Sequence, residues 1–241
     1  MRVDIISALP EIVRGSLQES ILGRAQKKGE LEVHVHDLRD YATDKYKKVD
    51  DYPFGGGAGM VLKPEPIAAC FEHIREHQAP IDEVIFLTPD GEVLTQAIVN
   101  ELSLKNRIVM LAGHYKGVDQ RIRDTEITRE ISIGDYVLSG GELPALVLVD
   151  AIARLLPGVL GDATSALTDS FQDELLDAPT FTRPADFNGM KVPNVLLSGD
   201  HAKIEAWRDA QRMEKTKRRR PDLLHSMPSD DLSDAKGTKN T

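Results

Sequence analysis

The feature of this chain that most strongly indicates a ligand site is a glycine-containing loop at residues 132–144. Residues 132–144 carry Gly134 and then the pair Gly140 and Gly141, and an apolar stretch follows from Leu143 to Leu156. Glycine has no Cβ, so backbone N–H and C=O groups can approach a ligand closely. The pattern predicts a strand, a glycine loop and a helix, and a Gly-Gly pair in this position also suits a plain turn.

A second glycine-rich loop spans residues 50–60, where Gly55, Gly56, Gly57 and Gly59 fall close together. Such a run does not form a regular element, and it is suited to lie near a phosphate backbone or a base edge. The chain contains neither G-x-G-x-x-G nor G-x-x-x-x-G-K-[ST]. Any nucleotide-like ligand must therefore be held in another way.

The composition is that of a soluble globular protein of one large or two small domains, with 241 residues and a net charge of −9. Its single cysteine, Cys70, cannot form an internal disulfide and excludes a cysteine-based metal cluster. The first residues lack the apolar core of a signal peptide, and the longest apolar run contains Asp150 and Arg154. We expect a cytoplasmic protein.

Short apolar runs alternate with helical patterns along the first two thirds of the chain. Predicted strands lie at 3–7, 31–35, 84–87, 107–112 and 126–133, and predicted helices lie at 16–28, 64–77, 94–102 and 143–156. This alternation predicts an α/β fold with a mostly parallel sheet. Ligands in such sheets bind beyond the carboxyl ends of the strands. The loops 87–91, 113–117 and 133–141 are therefore expected to form one pocket.

Other segments are less specific. His34 and His36 alternate with valines and are expected on the solvent-exposed face of a strand. The alternative is that the two histidines are a pair of metal ligands. Residues 158–168 read as a linker, and residues 226–241 as a disordered tail. A helix is predicted after Asp200. The segment 201–224 has a net charge of +4, which is suited to phosphate binding but is also common on a solvent-exposed helix surface.

Long motifs in a fixed order resemble one known family, the bacterial tRNA (guanine-N1)-methyltransferases of the TrmD type. The resemblance covers residues 2 to about 224. It is carried by SIGDYVLSGGEL (132–143), PGVLG (157–161), DSF (169–171), FTRP (181–184), VP (192–193), LSG (197–199) and the loop 50–60.

The resemblance implies a SPOUT-type fold, a parallel sheet with helices and a deep trefoil knot, followed by a small, mainly helical C-terminal domain. It implies a methyltransferase domain over 1–160, a linker with a catalytic aspartate over 161–175 and a tRNA-binding domain over 176–224. Residues 225–241 would be the tail. It also implies a homodimer whose active sites are shared between subunits.

The resemblance further implies S-adenosylmethionine as methyl donor and the guanosine at position 37 of the tRNA anticodon loop as substrate. The donor-binding positions of the family fall on Leu87, Thr88, Pro89, Gly113, Tyr115, Gly117, Ser132, Ile133, Gly134, Tyr136, Leu138, Gly140 and Gly141. These positions belong to the three loops that the strand pattern brings together.

Two residues match the catalytic positions of the family. Asp169 would take the proton from guanine N1, and Arg154 would stabilise the negative charge that develops on the base. By spacing alone, Asp169 would be one linker acid among several, and Arg154 could equally extend to water from its helix. RNA contacts are implied for Asp50, Gly59, Ser165 and Lys215, and the basic helix 201–220 and the lysines at 45, 47 and 48 are candidates for phosphate binding.

One departure from the family pattern concerns the metal. The usual Gly-Arg-Tyr-Glu-Gly reads Gly113-His-Tyr-Lys-Gly117 here, so the glutamate implicated in magnesium dependence is Lys116. A lysine cannot ligate magnesium as a carboxylate does, and its ammonium group is expected to replace part of the metal's charge. The metal requirement therefore stays open.

Three alternatives remain at this point. A SPOUT methyltransferase for another RNA nucleotide would share the donor loops, but it is not expected to keep Asp169 together with the loop 50–60. A non-catalytic RNA-binding protein would bind donor without turnover, and a phosphate-binding module would need only Gly55 to Gly59.

Overall fold

A computed structural model describes residues 1–76, 80–160 and 170–225 of the chain. Contacts divide the chain into two compact units, with the division between Ala163 and Thr164. Residues 161–169 of the predicted linker and the tail from residue 226 lie outside the described residues.

The first unit is built on a five-stranded sheet in which every pair of neighbouring strands is parallel. The strands follow the order β2-β1-β6-β5-β7. They are β1 (Arg2–Ser7), β2 (Glu32–Asp37), β5 (Glu83–Val93), β6 (Arg107–Ala112) and β7 (Arg129–Ser132), and a small antiparallel pair is formed by β3 (Asp50–Asp51) and β4 (Val61–Leu62). The predicted α/β fold with a parallel sheet is confirmed.

Helices cover both faces of this sheet. They are α1 (Glu11–Leu17), α2 (Ser20–Lys27), α3 (Pro64–Glu76), α4 (Gln96–Ser103), α5 (Gln120–Glu126) and α6 (Glu142–Ala153), with a 3₁₀ turn at Leu38–Tyr41. Successive strand residues point to opposite faces. Val3 and Ile5 therefore join the core beneath α6, while Ile6 joins the core beneath α3. Both faces are buried, as expected for a parallel sheet.

The strands that position the site are β6, β5 and β7, which are neighbours in the sheet. β5 does not end at Leu87, as its apolar run predicted, because the strand resumes beyond a bulge. Both Leu87 and Glu92 align with Ile131 of β7, so residues 88–91 protrude from the pairing. This bulge lifts Thr88 and Pro89 to the carboxyl edge of the sheet.

Two local predictions differ from the structure. The single helix expected over 16–28 is two helices, because the chain is extended at Glu19 and Ser20 has a φ of 53°. The strand expected over 126–133 is shorter, Arg129–Ser132, and is preceded by helix α5, which no pattern predicted. Both segments carry few apolar residues, so their local periodicity is weak and tertiary packing decides the element boundaries.

A buried charged cluster, centred on Asp4 of β1, lies on the α3 face of the sheet. The fully buried Asp4 carboxylate accepts hydrogen bonds from Arg2, from Arg107 Nε at 3.1 Å and from His36 Nε2 at 2.9 Å. Burial would raise the pKa of the Asp4 carboxyl, but the bonds from His36, Arg2 and Arg107 outweigh it and hold the pKa well below its ordinary value. The His36 side chain is therefore only 12% exposed and turned toward Asp4, unlike the solvent-facing place predicted for it, whereas the His34 side chain is 40% exposed, as predicted.

The second unit is described from Ser170 onward. It contains a short hairpin, β8 (Asp186–Phe187) with β9 (Met190–Lys191), then α7 (Asn194–Leu197), α8 (His201–Arg219) and a 3₁₀ turn at Pro221–His225. The N–H of Leu176 donates to the hydroxyl of the fully buried Thr216 at 2.9 Å. Trp207 is half-buried and packs on Phe181 with ring centroids 6.4 Å apart.

Within the described part of the chain, no helix is long and apolar enough to cross a membrane.

Candidate functional site

A cavity of about 550 Å³ opens at the carboxyl ends of β5, β6 and β7. Ligand pockets in open α/β sheets lie at this edge, and a volume of this size suits a small organic molecule. All of the expected donor-binding positions line it: Leu87, Thr88, Pro89, Gly113, Tyr115, Gly117, Ser132, Ile133, Gly134, Tyr136, Leu138, Gly140 and Gly141. The three loops are therefore brought together as the strand pattern predicted.

The wall that follows β7 is a tight turn held by its own hydrogen bonds. Ser132 Oγ donates to the carbonyl of Gly134 at 3.0 Å, and the N–H of Tyr136 donates to the same carbonyl at 2.9 Å. Gly134 has a φ of 142°, a conformation that side chains rarely adopt. The turn leaves the Tyr136 ring more than half exposed over the cavity.

Two glycines allow the loops after β6 and β7 to touch. The N–H of Gly141 donates to the carbonyl of Gly113 at 2.7 Å. A Cβ on Gly141 would lie 2.8 Å from Ala112 Cα, and a Cβ on Gly113 would lie 2.9 Å from the Phe86 ring. Because backbone cannot give way as a flexible side chain does, Gly141 is required for this closure. The exposed backbone groups then line the pocket.

Tyr115 adds a strained residue to the same wall. Its φ is 60°, in the left-handed region that non-glycine residues seldom occupy. Its ring stands edge-on to that of His114, with centroids 4.7 Å apart, and is 45% exposed. Strain of this kind persists where surrounding structure over-determines a conformation, which is common at ligand sites.

Charged residues that sequence reasoning did not single out also line the cavity. Thr88 donates to Asp90, and Arg123 donates to Asp90 at 2.8 Å and to Glu130. The Thr88 hydroxyl and then Arg123 lower the pKa of Asp90, and Glu130 and then Asp90 raise the pKa of Arg123. Asp90 could have been found from its place in the predicted loop 87–91, which the structure shows as a bulge within β5. Arg123 had no such signal, because α5 was not predicted.

The glycine-rich loop of residues 50–60 is tied to the loop after β6. The N–H of Lys116 donates to the carbonyl of Met60 at 2.9 Å, and that of Leu62 donates to the carbonyl of Gly117 at 3.0 Å. Gly59 lies beside the Lys116 side chain. Asp50, at the start of β3, is half-buried. Of the RNA positions expected from the sequence, Asp50 and Gly59 are thus on this loop.

The remaining predicted positions are spread along the chain. Arg154 is the half-buried residue that caps the carboxyl end of α6, so it ends the apolar helix and does not interrupt it. In the second unit, Lys215 Nζ donates to the carbonyl of Asp177 at 2.8 Å. Asp169 and Ser165 lie outside the described residues.

Metal-ligating side chains are not clustered in the described residues. No group of three or more His, Cys, Asp or Glu side chains in residues 1–76, 80–160 and 170–225 is arranged to hold a metal ion. Lys116 lines the cavity where the resembling family has a carboxylate. An ammonium group repels a cation, so this wall of the cavity is unsuited to a divalent metal.

Comparison with known proteins identifies the relationship. The family model described as tRNA (Guanine-1)-methyltransferase TrmD matches residues 1–226. A tRNA (guanine-N(1)-)-methyltransferase of Flavobacterium psychrophilum is 62% identical over 93% of this chain and 99% of its own length. Proteins of the same name from Bacteroides thetaiotaomicron (58% identical, 99% of its length) and Chlorobaculum tepidum (56%, 97%) also cover 93% of this chain.

Proposed function

We propose that this chain, which belongs to the tRNA (guanine-1)-methyltransferase family TrmD, transfers a methyl group from S-adenosylmethionine to N1 of guanosine 37 in the tRNA anticodon loop. The observation that carries the proposal is the convergence of all the expected donor positions on one cavity at the carboxyl edge of the sheet. The names and high identity of the relatives support the reaction class.

The cavity supports a donor held by backbone groups. When bound, the donor supplies an electrophilic methyl group on a sulfonium. A Cβ at Gly113 or Gly141 would clash with Phe86 or with the Ala112 backbone, so glycine at both positions lets the two loops close and present backbone groups to the ligand. Apolar side chains such as Leu87 and Leu138 can cover an adenine ring, and Asp90 offers a carboxylate to a polar or cationic part of the ligand. A mostly apolar lining with a few polar groups is typical of small-molecule sites.

Asp169 is proposed as the general base. Guanine N1 carries a proton and attacks the methyl carbon only as that proton leaves. The Asp169 carboxylate accepts the proton, the N1–carbon bond forms, and the sulfur–carbon bond breaks with its electron pair on sulfur. A carboxylate within hydrogen-bond reach typically contributes 10²–10⁴-fold to such a step.

Arg154 is proposed to stabilise the negative charge that develops on the exocyclic oxygen of guanine. A guanidinium fixed beside that oxygen interacts more strongly with the transition state than with the neutral base, which is the condition for catalysis. Arg154 caps the carboxyl end of α6, opposite the Gly141 cap that lines the cavity, so its proposed role rests on the match to the family's catalytic position.

We further propose that the chain works as a homodimer with active sites shared between subunits, that its donor loops form the family's trefoil knot, and that it is cytoplasmic. Residues 176–224 are proposed as the tRNA-binding domain. The exposed basic residues of α8 support this assignment, because lysine and arginine side chains neutralise RNA phosphates. Ser165 and Lys215 are proposed RNA contacts beside Asp50 and Gly59.

The testing experiment measures transfer of a labelled methyl group from S-adenosylmethionine to tRNA transcripts that carry guanosine or adenosine at position 37. Label on the guanosine transcript alone is the expected result. Equal label on both would show that another nucleotide is the target. Donor binding without label on either would indicate a non-catalytic RNA-binding protein.

A further inference from the structure

A carboxylate at the start of α6 lies unusually deep for an ionisable group. Glu142 is only 2% exposed. One of its oxygens, Oε1, accepts a hydrogen bond from the hydroxyl of Ser7 at 2.7 Å. Ser7 is itself fully buried and accepts from the N–H of Leu9 at 2.8 Å, so the hydroxyl is held in place. A buried carboxylate needs a partner for each oxygen, or its desolvation is left uncompensated.

The other carboxylate oxygen faces a histidine of the donor cavity. Glu142 Oε2 lies 3.8 Å from His114 Nδ1, and His114 lines the cavity. This separation is beyond hydrogen-bond distance. Nδ1 is a buried atom with no hydrogen-bond partner within the described residues. Two complementary buried groups therefore face each other across a gap that a small movement would close.

Gly140 makes this approach possible. A Cβ at Gly140 would lie 2.2 Å from Glu142 Oε2 and 2.5 Å from His114 Nδ1. Gly140 and His114 also form an isolated β-bridge between the loops that follow β7 and β6. The pair thus sits at the seam between two walls of the cavity.

We propose that Glu142 and His114 are positioning residues for donor binding: the Glu142 carboxylate accepts the Nδ1–H of His114 and locks the two cavity walls together when the donor is bound. The inference rests on the proposed function, because it concerns the same cavity. Polar groups at such sites are often loosely paired without ligand and tighten in the complex. The groups that face the His114 ring are the Glu142 carboxylate and the Tyr115 ring.

Two isosteres of histidine give a sharp test. The side-chain amide of asparagine can place an N–H where Nδ1 lies, whereas that of glutamine places it where Nε2 lies. Donor affinity is measured by calorimetry with S-adenosylmethionine on the full chain. His114→Asn should keep the Kd within about threefold of wild type, and His114→Gln and His114→Ala should raise it about tenfold or more. A space-filling role would favour glutamine over asparagine.

The carboxylate is tested in the same assay. Glu142→Ala should raise the Kd as His114→Ala does, and the double variant should be no worse than either single variant, since the two residues act as a unit. Independent, additive effects would overturn the inference, as would equal affinities of the asparagine and glutamine variants. Lack of donor binding by the wild-type chain would overturn the proposed function as well.

A measurement on the wild-type chain guards against variants that do not fold. NMR spectra of protein labelled with nitrogen-15 histidine report which ring nitrogen carries the proton. The His114 signals are identified as those that are missing from the spectrum of His114→Asn. A protonated Nδ1 in the donor complex is expected. A ring protonated at Nε2 alone would contradict the pairing.

Discussion

Gly59 lies directly against Lys116, so closely that a Cβ on the glycine would stand 2.7 Å from Lys116 Cγ. The backbone of Lys116 also donates to the carbonyl of Met60 at 2.9 Å. Lys116 lines the donor cavity, whereas Gly59 belongs to the loop proposed to contact RNA. The two loops meet here, so the loop that is proposed to contact RNA lies next to the proposed site of the methyl donor.

Replacing Gly59 by alanine should impair the use of tRNA more than the same change at Gly57. Both glycines have positive φ, 96° and 116°, so both alanines are conformationally strained. Only at Gly59 does the new methyl group meet a neighbour, since the space around Gly57 is open. We expect the KM for tRNA to be about tenfold higher for Gly59→Ala than for Gly57→Ala. In a Lys116→Ala background that difference should disappear, and its persistence would contradict the contact.

Gly141→Ala should lower both stability and donor affinity. The added Cβ would lie 2.8 Å from Ala112 Cα and from the Gly113 nitrogen, so backbone must shift. Overpacking of this kind costs about 1–3 kcal/mol in the free energy of unfolding. Gly15→Ala is the matched control: it lies in α1 with open space around it, and it should stabilise by about 0.5–1 kcal/mol. Urea unfolding measures both, and a Gly141→Ala protein as stable as wild type would refute the close packing.

The Asp4 cluster should make stability depend on pH. The pKa of the folded carboxyl is lowered, so its contribution is complete above the unfolded pKa of about 3.9 and is lost as pH falls toward the folded value. Asp4→Asn should cost about 3–5 kcal/mol at pH 7, because Arg107 loses a buried anionic partner. In urea unfolding, the gap between wild type and variant should narrow below about pH 4. The control is Glu72→Gln, at an exposed position of α3, which should leave the free energy of unfolding equal to that of wild type across this pH range.

The proposed base and cation predict different kinetic losses. Asp169→Asn should reduce kcat by about 10²–10⁴-fold, since the amide cannot accept the N1 proton. Arg154→Lys keeps the positive charge but loses the planar guanidinium with its paired N–H donors. It should retain more activity than Arg154→Met, which removes the charge as well. Single-turnover methyl transfer measures the step, with donor Kd as control. Full turnover by Asp169→Asn would exclude it as the base.

Removal of divalent metal should leave methyl transfer largely intact. The described residues present no cluster suited to a metal, and Lys116 places an ammonium group at the cavity wall. The tRNA is folded first and kept folded with a polyamine. Divalent metal is then removed with a chelator, and methyl transfer is measured. Activity that vanishes on chelation and returns only with magnesium would refute the expectation. Lys116→Glu should then gain a response to magnesium.

Much of the site followed from local sequence. Each cavity loop begins where an apolar run ends, and parallel strands put those ends at one edge. Of the cavity glycines, Gly141 packs against the Ala112 backbone, and Gly113 and Gly140 pack against the side chains of Phe86 and Glu142. The detailed positions, and the roles of Asp169 and Arg154, came from the family resemblance. Spacing alone would have left Asp169 as one acid among several.

Other features depended on neighbours that are distant in sequence. Asp4 meets Arg107 across 103 residues, and Ser7 meets Glu142 across 135. The alternation of apolar and polar residues around His36 is typical of a half-exposed strand, yet Asp4 draws its ring inward. Arg123 is held at the cavity by its bonds to Asp90 and Glu130, neither of which its own segment indicates.

The sequence by itself determined the periodicities, the glycine positions and the family, because these are properties of adjacent residues. Only the tertiary structure decided the strand order β2-β1-β6-β5-β7 and the partners of buried charges. The physical reason is that parallel pairing joins segments separated by long crossovers, and any of several apolar strands could satisfy the same local pattern. Which strands pair, and which carboxylate meets which cation, is decided by packing the whole unit at once.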